Sequence, residues 1–196
     1  MSQQRTPCRH RQSNTLNVFP AGSPFSDWGN RAIQTALGQL LYVPSATVGE
    51  VAYVANTLQQ RFPTGSRANF STVSDAWWNE WNTLAGRLRG AAANEADDAS
   101  RRSLLLRALV YSFVASIPRV PGPEVVQQYQ RAQEDFKAAA PLFGAYDIQP
   151  FNYTFDNGTA SQQFGGFMAL PPGMEQAPLM VVFGNLFHWK EMYASE

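Results

Sequence analysis

Two histidines, one cysteine and a short run near the C-terminus hold most of the sequence's reactive potential. The run is Gly184-Asn185-Leu186-Phe187-His188-Trp189-Lys190-Glu191. A glycine directly after an apolar segment lets the backbone turn sharply. The amides that follow, at Asn185 and Leu186, can then point at a carbonyl oxygen that gains negative charge during acyl transfer. His188 lies within this run, but serine hydrolysis needs a nucleophile and an orienting acid as well. No G-x-S-x-G elbow occurs in the chain. The simpler reading of His188 is a loop residue at a helix start. Lys190 and Glu191 also fit ordinary helix-terminus electrostatics. Cys8, His10 and His188 are too far apart in sequence to suggest a metal site, and no phosphate-cradling glycine loop is present. Neither metal nor cofactor is expected.

A second group has the composition of a binding wall. Asp75-Ala76-Trp77-Trp78-Asn79-Glu80-Trp81 places three tryptophans in five positions. Their simplest role is packing between helices. The sharper reading has Trp77 and Trp81, with Phe187, lining a substrate cavity between this region and the next.

These groups must be positioned by helices first and strands later. Residues 1–25 are polar, punctuated by Pro and Gly, and read as a disordered leader. A helix is predicted over Asp27–Tyr42, with Ile33, Leu37, Leu40 and Leu41 at helical spacing. A second opens at Thr47-Val48-Gly49-Glu50, a capping-box pattern, and runs to Pro63. The third spans Asp75–Arg89. The fourth, Glu95–Ile117, is apolar around most of its circumference, which makes it a central helix. Arg101, Arg102 and Arg107 on it are expected to be solvated or snorkelling. The fifth begins at Pro123, a favoured first helical residue, and carries a Val125, Tyr129, Ala132, Phe136, Ala139 stripe.

After Pro141 the period falls from 3.6 to 2. Phe151, Tyr153 and Phe155 alternate with Asn152 and Thr154 as in a half-buried strand. Asn157-Gly158 suggests a type I′ turn, with a return strand over Gln163–Leu170. Gly165-Gly166 inside it suggests a bulge. Pro178–Gly184 lacks polar alternation and suits a strand buried on both faces. No 34-residue helical repeat survives inspection.

The order of five helices, hairpin, Pro-Pro-Gly break and buried strand resembles the esterase-like branch of the α/β-hydrolases that carries an N-terminal helical cap. Gly184, Leu186, Lys190 and Glu191 match that branch's Gly-Gly-Leu-(Asp/Glu)-x-x-Lys-Glu run, whereas Asn185 and Phe187 depart from it. Arg107–Tyr111 and Ala138–Leu142 also resemble its cap helices and the exit from them. The resemblance implies a mainly α cap of about five helices (residues 26–147), then the first strands of an α/β-hydrolase sheet (148–196), left incomplete. It implies serine-dependent hydrolysis of a carboxylic ester or a carbon–carbon bond beside a ketone, with Asn185 or Leu186 lending an oxyanion amide. The triad would lie downstream, so the chain by itself is expected to be inactive. The rival reading is a non-enzymatic helical interaction module whose β tail pairs with a partner.

Composition limits the partners. Fifteen basic residues balance fifteen acidic ones, which gives no electrostatic footprint for nucleic acid. No apolar run reaches membrane-spanning length. A single cysteine fits a reducing compartment, and cytoplasm is the expected location. An unfinished sheet also makes homo-oligomers an expected outcome.

Overall fold

The computed structural model describes residues 18–40, 47–156, 158–159, 161–171 and 173. Its described part is mainly helical, with five α-helices followed by a small antiparallel sheet. The helices are α1 (Trp28–Leu40), α2 (Val48–Arg61), α3 (Phe70–Ala93), α4 (Asp98–Ser116) and α5 (Pro123–Ala139). A 3-10 turn at Ala140–Leu142 leads into β1 (Asp147–Asp156) and β2 (Ser161–Leu170). The expected strand at 178–184 and the turn after it lie outside the described residues.

α4 is the central helix, as its composition predicts. Every residue from Ala108 to Ala115 is buried, so the helix is covered on all sides along two turns. α3 and α5 flank it and make the most extensive helix contacts. α3 starts earlier than the tryptophan spacing suggested. Asn69 caps it, accepting from the backbone N–H of Thr72 at 2.9 Å. Asp97 does the same for α4, accepting from Ser100 N–H at 2.8 Å. The Ser100 backbone N–H chiefly, and its side-chain hydroxyl next, hold the exposed Asp97 carboxyl below its usual range.

The N-terminal expectation requires correction. Residues 18–25 belong to the core and not to a leader: Phe19 is 1% exposed and Phe25 fully buried. Their rings stack 4.9 Å apart and both reach Trp77. Asn30 locks this strap in place. Its side-chain amide donates to the carbonyls of Phe19 (2.9 Å) and Ser26 (2.7 Å), and its Oδ1 accepts from Phe19 N–H at 2.9 Å. Gln59 of α2 donates to Val18 O at 2.6 Å. Two large aromatics in a polar stretch outweighed its composition.

The capping box at Thr47 does not form either. Thr47 makes no side-chain cap bond. Glu50 turns instead toward α4, where it meets Arg107 and Tyr111.

The hairpin register is unbroken from Asp147↔Leu170 to Asp156↔Ser161. The connection is therefore residues 157–160, longer than a two-residue type I′ turn. Asp156 Oδ1 accepts from Gly158 N–H at 2.8 Å, and Gly158 sits at φ +81°. The expected bulge at Gly165-Gly166 is absent. Phe151 lies opposite Gly166 with its ring folded across it, and a Cβ there would stand 2.5 Å from the ring. Glycine is needed at 166 for this close approach.

Candidate functional site

The residues read as oxyanion donors, Asn185 and Leu186, lie outside the described residues, as do Phe187 and His188. The two tryptophans are described, and both are fully buried. Neither lines the surface cleft at Phe19–Asn30 or the one beside Arg107. Trp77 is enclosed by Phe19, Phe25, Trp28 and Trp81, with ring centroids 4.8–6.2 Å away. Its indole N–H donates to Val114 O at 2.8 Å. That carbonyl would ordinarily accept from the residue four positions on, which is Pro118 and has no N–H. The indole adds a second, shorter bond to the 3.3 Å one that this carbonyl accepts from Ile117 N–H at the end of α4. Within the described residues Trp77 and Trp81 are therefore packing groups, and the expected cavity shared with Phe187 lies outside the described residues.

Trp81 leads to a polar cluster. Its ring lies 5.3 Å from that of Tyr111. The Tyr111 hydroxyl donates to Glu50 Oε2 at 2.7 Å, and Arg107 donates to Glu50 Oε1 at 2.7 Å. One carboxylate thus fastens the first turn of α2 to two successive turns of α4. Arg107 is a half-buried ion-pair partner, not the snorkelling residue its helix position suggested. Burial chiefly, and the bond to Glu50 next, push the Tyr111 phenol above its ordinary range. It stays a protonated donor at any physiological pH. The Nε of Arg107 and the Nε1 of Trp81 are buried without a hydrogen-bond partner. Next to Arg107 opens a cleft of about 490 Å³, lined also by Glu95, Ser100, Arg102, Ser103 and Leu104. Arg102 there donates to Leu142 O at 2.7 Å and lies over the Phe143 ring. The cluster is a clamp between helices, because it pairs no nucleophile with a base.

A second buried group joins the three main helices. Arg89 of α3 forks onto Asp135 of α5 through Nε and a terminal nitrogen at 2.7–2.9 Å. The same arm donates to Ser112 Oγ on α4 at 2.6 Å. Burial raises the Asp135 carboxyl above its ordinary value of 3.8, while the Arg89 bonds and charge pull the other way. The folded chain therefore takes up this proton at a higher pH than the unfolded chain does. This group's contribution to stability is complete below 3.8 and declines as pH rises through the folded value.

Arg89→Met leaves the carboxylate buried and unpaired. Loss of one partner of a buried pair costs about 3–5 kcal/mol. The side chain of Arg89 keeps 26% exposure, so a loss near the lower end is expected, about 3 kcal/mol. Urea denaturation measures it. The double variant Arg89→Met/Asp135→Leu should recover most of that loss, and equal instability of single and double variants would refute the pairing argument.

The hairpin carries a feature that the pattern located but oriented wrongly. Antiparallel pairing puts Phe151, Tyr153 and Phe155 on one sheet face, and Ile148 and Phe167 on the other. The second face meets the helices: Ile148 is 9% exposed, and Phe167 packs edge-on against Phe136 of α5 at 4.5 Å. The aromatic face looks outward instead of being half-buried, with Phe151, Tyr153 and Phe155 at 45–57% exposure. Alternation shows that a strand has two faces. It does not show which one the helices cover, because both have apolar members.

No protein-family model, curated protein or solved structure matches this chain. Among the described residues, no group of three or more His, Cys, Asp or Glu side chains could hold a metal ion. No helix among them is long and apolar enough to cross a membrane.

Proposed function

We propose that this chain is the N-terminal part of a serine-dependent α/β-hydrolase, a helical cap followed by the opening strands of the catalytic sheet. The observation that carries this reading is the hairpin's outward aromatic face. Three large side chains at 45–57% exposure, side by side on one face of a sheet, are what a sheet presents where further layers are still to be packed. The matches at Gly184, Leu186, Lys190 and Glu191 support the same assignment. In this reading the backbone amides at Asn185 and Leu186 are the oxyanion donors, and the serine, acid and histidine follow beyond Glu196. The substrate is a small carboxylic ester, or a ketone whose neighbouring carbon–carbon bond is cleaved. With one cysteine and no call for a disulfide, the protein works in the cytoplasm. Phe187 keeps its place as a cavity-lining candidate.

The rival, a helical interaction module, draws on the same exposed face, read as a docking surface for another protein. Reading the coding sequence past Glu196 separates them. A G-x-S-x-G elbow followed by an acid and a histidine supports the hydrolase. A stop codon at that point, or an unrelated domain, supports the module. The purified 196-residue chain is expected to give no turnover of short-chain aryl esters above a denatured-protein control. Hydrolysis that survives re-purification and is lost in His188→Ala would overturn the assignment of catalysis to downstream residues.

A further inference from the structure

Beyond Ile148 every residue of β1 is exposed, whichever face of the hairpin it stands on. The helices hold only the foot of the hairpin, through Ile148 and the Phe167–Phe136 contact. The rest projects as a two-stranded arm whose register runs unbroken to Asp156↔Ser161. Two strands alone are marginally stable in water and gain from a cover on one face. The face with most to gain carries Phe151, Tyr153 and Phe155, at 45–57% exposure. Gln149 completes it on β1, and none of the β2 residues paired with these four is charged. Asp147, the one carboxylate on this side of β1, stands at the foot.

Such a face is complementary to itself. Two copies related by a two-fold axis present the same set of residues to each other, and an uncharged set meets without repulsion. With the arms antiparallel, the two Asp147 carboxylates stand at opposite ends of the contact. The chain as a whole adds no barrier, because fifteen basic residues balance fifteen acidic ones and a net charge near zero favours association. Selecting a different protein would call for charged groups, which this face lacks. Area sets the strength. A half-exposed aromatic leaves about 75–125 Å² in water, so three rings on each of two copies bury about 600 Å². That is half of the about 1,200 Å² at which stable interfaces begin.

We propose that the Phe151–Tyr153–Phe155 face docks on the same face of a second copy, arms antiparallel and sheets about 10 Å apart, as a weak and reversible dimer. The inference concerns the 196-residue chain by itself and does not rest on the hydrolase reading. A chain that stays monomeric leaves that reading untouched, and a missing nucleophile elbow leaves the dimer untouched.

Sedimentation of the 196-residue chain from about 5 to 500 µM, a span suited to weak association, tests it. The weight-average mass should climb from monomer toward dimer and stop there. Tyr153→Lys sets like charges near the two-fold axis and should weaken the dimer at least about tenfold. Thr154→Lys adds the same charge on the opposite, exposed face and should leave the dimer as it was. Both variants must keep the far-ultraviolet circular dichroism of the parent chain. A monomer at every concentration overturns the proposal and leaves the face to a different protein or to the chain itself. A dimer that survives Tyr153→Lys, or that Thr154→Lys weakens equally, overturns it by placing the contact elsewhere. Growth past the dimer overturns it as well, since a two-fold contact between faces closes on itself.

Discussion

Trp77→Ala is expected to be the most destabilising single change in the helical region. It empties a site walled by Phe19, Phe25, Trp28 and Trp81. Truncating a buried tryptophan costs about 3–5 kcal/mol through lost burial and the cavity left behind. The change also removes the indole bond to Val114 O, which then keeps only the 3.3 Å bond from Ile117 N–H, a further loss of about 0.5–1.5 kcal/mol. The sum reaches the lower end of the stability of an ordinary domain, about 5–15 kcal/mol. The variant should therefore be partly unfolded at room temperature, visible as lost helical circular dichroism before any denaturant is added. Trp77→Phe separates the two causes. It keeps a six-membered ring in the site, gives up part of the indole's volume and removes the donor, so its loss should be about 1–3 kcal/mol, well below that of Trp77→Ala. Trp78, half-buried under Arg119, is the internal comparison, and its alanine variant should be far milder. A loss at Trp77→Ala no greater than at Trp78→Ala would show that the aromatic column does not carry the fold.

The second large effect belongs to the proposed hydrolase in its full length. If the Leu186 amide stabilises the oxyanion, the donor is backbone, and Leu186→Ala leaves it in place. Proline removes that hydrogen. Loss of one oxyanion donor lowers kcat by about 10²–10³-fold, equivalent to roughly 2.7–4 kcal/mol. Leu186→Pro should fall on that scale, and Leu186→Ala should lose much less. Both variants must show unchanged thermal stability, because proline can also disturb a turn. A folded Leu186→Pro enzyme with near-normal kcat would move the assignment to the Asn185 amide, testable by the same substitution there.

Several elements of the fold are legible in the sequence because their signal is local. The all-round apolar surface of α4 announces a central helix. Pro123 marks the first residue of α5. The change of period after Pro141 marks the passage to strands. Even the earlier start of α3 was readable, since Asn69 followed by Thr72 is a cap signal that lies outside the tryptophan spacing. What escaped depends on partners far away in sequence. Glu50 satisfies the capping-box pattern, yet its carboxylate goes to Arg107 and Tyr111, 57 and 61 positions on. An ion pair and a phenol donor outcompete a solvent-exposed cap. Phe19 and Phe25 sit in a stretch whose composition reads as a leader, and only the Trp77 surface gives them somewhere to go. The aromatic face failed in a different way. Period-2 alternation is the same whichever face is covered, and the choice was made by Phe136 receiving Phe167. The candidate oxyanion residues were legible as a motif alone, with Asn185, Leu186 and Phe187 outside the described residues.

The strap at Phe19–Phe25 has a consequence during synthesis. A ribosome releases it well before Trp77 of α3, against which both rings pack, and Val114 of α4, which anchors the Trp77 indole. At about 5–20 residues per second, two bare phenylalanines and α1 wait on the order of ten seconds for their cover. For that interval the nascent chain exposes an apolar segment it cannot yet bury, which is the kind of segment a trigger-type chaperone or a protease engages. Codon choice between residues 25 and 114 sets the length of the wait, so synonymous changes there act on the yield of this protein without altering a single contact in it.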